Sequence, residues 1–448
     1  MAGLHLSNLR VLPLLALLLL GGCESLGIDD WLGGDEAPPL PGKRISVLAH
    51  EQQLNPAASA DEPILLPPPE PNGTWPQAGG LAHHAMHHMV LPDQLHEAWS
   101  RDIGEGSGKR ERLLAQPVVA DGRVFAIDAE AVVSAYDTAS GERLWEVDLP
   151  DEYEEDGAVL GGGLAYENGR LFVTTGFAAV MALDAATGQG LWKQTVGAPM
   201  RAAPTVNGGR LFLLTVDNKT LALAASDGRL LWTHAGPPEG TAFLGGAAPA
   251  VDAGVVVSAY STGELVALRV DTGAELWSDQ VVALRRTDAA ASLADIAAWP
   301  VIDQGKVFAV GHSGLMVAID LRTGRRLWEV EVAGLQPPWV AGNYLFVLTI
   351  EAELVAIDGR DGRVLWIRPL QQWDDPEDRT GRLVWSGPLL GGDRLIVAAS
   401  HGWAYAVSPY TGALLGRQKM PAGVTIPPAV AGGTLYFLTD DADLVAYR

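Results

Sequence analysis

The stretch AIDLRTGRRLW, from Ala318 to Trp328, holds a strand, a turn and a second strand in eleven residues. The Thr-Gly pair at Thr323-Gly324 makes a tight hairpin, with the aspartate at Asp320 as a turn-forming side chain. The same offsets of Ala, Asp, Gly and Trp recur in AYDTASGERLW (Ala135–Trp145), ALDAATGQGLW (Ala182–Trp192) and AIDGRDGRVLW (Ala356–Trp366). ALAASDGRLLW (Ala222–Trp232) and ALRVDTGAELW (Ala267–Trp277) keep Ala, Gly and Trp. A seventh copy, AVSPYTGALLG (Ala406–Gly416), keeps the turn and replaces Trp with Gly416. An eighth begins at Ala446 and stops where the chain ends, at Arg448. The 311 residues from Ala135 to Ala446 therefore hold seven steps of about 44.

Two short apolar strands precede each copy, as in PVVADGRVFAI from Pro117, PTVNGGRLFLL from Pro204 and PVIDQGKVFAV from Pro300. Proline has no amide for the ladder and belongs on an edge strand, which is what the innermost strand of a propeller blade is. Four antiparallel strands per repeat of this length make a blade, and the fold expected is all-β, an eight-bladed β-propeller. The last blade lacks an outer strand at the C-terminus, while His96-Glu97-Ala98-Trp99-Ser100 supplies one near the start. That N-terminal strand is expected to pair with Thr434–Tyr447 and close the ring.

Composition narrows the function. Glycine takes 52 of 448 positions and charged residues only 19%, which argues against disorder. A net charge of −23 repels the phosphate backbone, so a nucleic-acid partner is excluded. The one cysteine, Cys23, excludes an internal disulfide, a cysteine-based zinc site and an iron–sulfur cluster.

After Arg10 comes VLPLLALLLL (Val11–Leu20), an apolar run too short to span a bilayer and suited to a signal-peptide core. Leu20-Gly21-Gly22-Cys23 resembles the bacterial lipobox, whose cysteine takes a diacylglycerol before cleavage. The resemblance implies a signal peptide over 1–22 and a lipid anchor on Cys23. Glu24, where aspartate would favour inner-membrane retention, implies the periplasmic face of the outer membrane. Residues 23–72, rich in Pro, Ala, Asp and Glu, bury too little apolar surface to fold alone and are expected to be a disordered tether. Residues 73–94 then lead into a propeller over 95–448.

The A-x-D-x-x-T-G-x-x-x-W pattern resembles the tryptophan-docking repeat of quinoprotein-like propellers, and it lacks the Gly-His and Trp-Asp pairs of WD40 repeats. Its tryptophans are expected between blades. Two functional classes use the repeat. Pyrroloquinoline-quinone dehydrogenases hold the quinone over the central channel beneath a disulfide between adjacent cysteines, near calcium, and Cys23 alone cannot form that disulfide. The other class is the outer-membrane assembly lipoprotein family BamB, a non-catalytic propeller docking on the periplasmic (POTRA) domains of BamA. The lipobox, the linker and eight blades all resemble it. That resemblance implies no catalytic residues, no metal and no cofactor, with BamA and unfolded outer-membrane proteins as partners. A quinone-dependent dehydrogenase, or an envelope propeller binding peptide or polysaccharide, is the alternative.

Two links carry a narrower match. Leu293–Pro300 (LADIAAWP) resembles the family's L-S-D-V-D-T-T-P, with Asp295 on the first aspartate and Ala297 in place of the second. Ala242–Pro249 (AFLGGAAP) follows T-L-R-G-E-S-A-P through Gly245, Ala248 and Pro249. Phe243 falls at its apolar contact position, and Leu244 replaces its arginine. The resemblance thus makes Phe243, Leu244 and Asp295 candidate partner-binding residues.

The chain's other chemistry-bearing residues have structural explanations. His83-His84-Ala85-Met86-His87-His88 places imidazoles four apart, a metal-binding spacing only on a helix, and no carboxylate or cysteine lies alongside. The cluster is expected to be packing in the lead-in segment. No G-x-S-x-G, P-loop or H-E-x-x-H motif is present. Gly311-His312-Ser313-Gly314 falls at a turn between the second and third strands of a blade. Asp148–Gly162, Ser278–Ala297 and Gln371–Trp385 lengthen links on one face of the ring. The first and third are acidic, with six carboxylates in Asp148–Asp156, and the second carries Arg285-Arg286, which could complement an acidic partner.

Overall fold

In the third blade Thr205–Asn207, Arg210–Leu214, Lys219–Ala224 and Leu230–Ala235 pair antiparallel in chain order, innermost to outermost. The computed structural model describes Leu54, Pro56 and residues 63–108, 112–149, 162–200, 202–238, 246–282 and 296–448, all within the compact unit Gln53–Arg448. Eight such four-stranded sheets make the propeller, and no helix occurs among the described residues. Middle strands such as Val255–Ala259 are buried at every position, because neighbouring blades cover both faces. Outer strands such as Gly190–Thr195 alternate between exposed and half-buried residues, as expected of one covered face.

The turn residues behave as their chemistry requires. Asp184 Oδ1 accepts hydrogen bonds from the amides of Ala186 and Thr187 and from the Thr187 hydroxyl. Such bonds hold the Asp137, Asp184 and Asp320 carboxyls below their usual range. Gly228, four residues after Ala224, has φ +72°, and a Cβ there would come within 2.7 Å of the Trp192 ring of the preceding blade. That close approach lets Trp192 Nε1 donate to the Ala225 carbonyl at 3.1 Å. Seven tryptophans make this bond to the next blade: Trp99, Trp145, Trp192, Trp232, Trp277, Trp328 and Trp366. Each is worth about 1 kcal/mol for the hydrogen bond, in addition to the apolar area covered.

The seventh copy lacks its tryptophan for a geometric reason. A tryptophan at Gly416 would lean on the turn between the two outer strands of blade eight. Blade eight has no such turn, because its outer strand, Glu97–Asp102, comes from the other end of the domain. Glu97–Asp102 pairs with Asp443–Tyr447, opposing Trp99 to Ala446, so the ring is closed by the N-terminal strand as expected.

Candidate functional site

Cys23, Phe243, Leu244 and Asp295 lie outside the described residues, as do residues 150–161 of the first acidic insertion and the Arg285-Arg286 pair. The links that carry Phe243 and Asp295 rejoin the described fold at Gly246 and Ile296. Ala247 and Ile296 are both buried in one apolar cluster with Trp277, so the feet of the two links share a base. The third insertion folds as a short exposed hairpin, Trp373–Asp375 with Thr380–Arg382.

The central channel holds what the repeat pattern could not show. The lead-in segment passes the innermost strand of every blade in ring order, starting at blade eight. The Asn72 carbonyl accepts from the Gly432 amide at 2.7 Å. Trp75 exchanges both backbone hydrogen bonds with Val119 of blade one. Pro76 accepts from Tyr166 of blade two, and the Gln77 side chain from Val206 of blade three. Ala82 and His83 accept from Val251 and Ile302 of blades four and five. His87 accepts from Trp339 Nε1 of blade six, and Met89 from Gly392 of blade seven. An innermost strand is an open edge, and this one segment satisfies an edge amide on blades one to five, the Trp339 indole on blade six and the turn amides that follow the inner strands of blades seven and eight.

The four histidines follow from that path. Positive φ at His84 and His87 breaks any helical spacing, and the imidazoles take separate partners, His84 and His87 on blade five and His88 on blade seven. Buried His84 places Nδ1 2.8 Å from the Pro300 carbonyl and its ring 5.7 Å from Trp299, and burial holds its pKa down to about 4. His87 reaches Asp303 at 3.3 Å, and that hydrogen bond raises it. Burial lowers His83. His88 lies 2.8 Å from the Pro67 carbonyl through Nδ1 and accepts from the Asp393 amide through Nε2.

Trp75 is fully buried and stacks on Trp339 at 6.4 Å. The cavity beside it, lined by Trp75, His84, Trp299, Trp339 and the prolines that start the inner strands, measures about 20 Å³. A cofactor pocket needs roughly 300 Å³ or more. The residues at this point of the axis therefore do not fit a quinone, and the adjacent cysteines that would cover one are absent from the sequence.

A family model described as outer membrane protein assembly factor BamB matches residues 96–155, 129–368 and 371–448. A protein of that name from Alkalilimnicola ehrlichii is 36% identical over 351 residues, 78% of this chain and 87% of its own length. The BamB crystal structure from Moraxella catarrhalis superposes with a TM-score of 0.68 at 20% identity, covering 79% of this chain and all of that one. The quinohemoprotein alcohol dehydrogenase of Comamonas testosteroni gives 0.67 at 16% identity, covering 84% of this chain and 80% of that one, a likeness of fold.

Proposed function

Since the chain belongs to the family of the outer membrane protein assembly factor BamB, we propose that it is a non-catalytic scaffold of outer-membrane β-barrel assembly. In this reading it docks on the POTRA domains of BamA, and Cys23 carries the lipid that holds it to the periplasmic face of the outer membrane. Residues 1–22 are the signal peptide, 23–72 the tether, whose last stretch packs on the ring from Ile64 to Asn72, 73–94 the lead-in and 95–448 the docking body. The observation that carries the reading is a family match spanning the whole propeller, on a ring whose axis is filled by its own lead-in segment. A filled axis leaves the links and the rim as the working surfaces.

Phe243, Leu244 and Asp295 are the docking residues proposed. The shared base of their links, at Ala247 and Ile296, supports a single contact area. An apolar anchor with a charged residue toward its rim is the usual anatomy of an interface. Affinity purification from solubilised envelope should recover a BamA homologue. With its isolated periplasmic domains, Asp295→Arg and Phe243→Ala should each weaken binding by about 1–3 kcal/mol, with the melting temperature unchanged. Wild-type affinity in both variants would move the docking surface elsewhere on the ring.

A further inference from the structure

A cleft of about 330 Å³ opens on the rim between blades two and three. Its floor is Val196, Leu221, Leu223 and Leu230, and its lip carries Thr195, Thr233 and the Lys219–Asp217 ion pair at 2.6 Å. The repeat register maps that floor onto Val332, Val355, Ile357 and Val364 between blades five and six, counting from Trp192 and Trp328 and from Ala222 and Ala356. There Leu54, from the lead-in side of the chain, packs against the cluster that includes those four residues. Val364 is 7% exposed, whereas Leu230 is 52% exposed.

We propose that the cleft between blades two and three receives an apolar side chain from an extended, strand-forming segment of an unfolded outer-membrane protein. The volume suits one large apolar side chain and its backbone. An apolar floor under a polar lip selects a segment whose apolar residue has polar neighbours on both sides. That alternation is the sequence pattern of strands that cross the outer membrane. Leu54, a single leucine flanked in sequence by Gln53 and Asn55, is the chain's own example of an apolar residue with polar neighbours packing on a blade cluster.

The proposal rests on the assembly reading, and its test separates the two. The probe is a short fluorescein-labelled peptide alternating leucine with threonine, with an alanine-for-leucine peptide as control, titrated into the chain from residue 24 onward. The leucine peptide should bind and the alanine peptide should not. Leu230→Glu places a charge over the floor, and Thr233→Trp fills the cleft without one. Each should weaken the leucine peptide about ten-fold or more. Leu276→Glu, at a leucine 44% exposed on the rim of blade four and outside the cleft, should bind as the wild type does. Undiminished binding in both cleft variants, or no binding by the wild type, overturns the proposal. Recovery of BamA, measured with the same variants, should not change. Its loss from the wild type would overturn the assembly reading instead.

Discussion

Burial holds the His84 imidazole down to about 4, so the folded chain keeps it neutral at pH values where an unfolded histidine, near 6.5, is already charged. Between those values the unfolded state binds more protons, and stability falls as the pH falls. The full window amounts to about 3 kcal/mol. His87 works in the opposite sense. Its pKa is raised by Asp303, so its contribution is present below 6.5 and is lost as the pH rises through the raised value. That contribution is the smaller one, because His87 is partly exposed and its ion pair is screened. Thermal melts of the wild type and His84→Gln across pH 4 to 7 check this: the variant should lose less stability on acidification. Parallel curves would mean that His84 does not carry the acid sensitivity. The histidines were visible in the sequence as a cluster. Their roles were not, because each is set by a blade more than a hundred residues away, Pro300, Asp303 and Asp393 among them.

Among the elements, two devices near the N-terminus close the ring, and they are separable. The strand Glu97–Asp102 completes the ladder of blade eight, while the segment from Asn72 to Met89 ties the inner edges of all eight blades. Removing residues 24–62 should therefore be mild. Extending the deletion through 94 should lower the melting temperature further, since nine hydrogen bonds of about 1 kcal/mol each are lost along with the burial of Trp75 and Met89. Extending it through Asp102 also exposes the edge of Asp443–Tyr447 and should produce the largest loss and aggregation. Melts of the three truncations decide it, and equal stability of the second and third would remove the closing role of Glu97–Asp102. The closing strand was legible because it carries the repeat's own tryptophan at the right offset. The axial segment was not, because it has no periodicity and bonds mainly through backbone groups that every residue possesses.

At the scale of the molecule, the proposed anchor on Cys23 and the ring are chemically independent, so Cys23→Ser should abolish lipid labelling and leave the melting temperature of the propeller unchanged. Labelling with radioactive palmitate checks this, and incorporation persisting in the variant would remove the anchor. The blade count, the docking turns and the closing strand could all be read from the sequence. A blade is a local object, and its hairpins and tryptophan offsets repeat within about 44 residues. Tertiary structure alone revealed that the axis is filled, that Gly416 stands where no neighbouring turn exists, and that the rim between blades two and three lies open while Leu54 packs against the cluster holding its counterpart. Each of these depends on residues far apart in the chain meeting round a closed ring. A periodic pattern specifies its own unit, and only ring closure determines which unit meets the chain's non-repeating end.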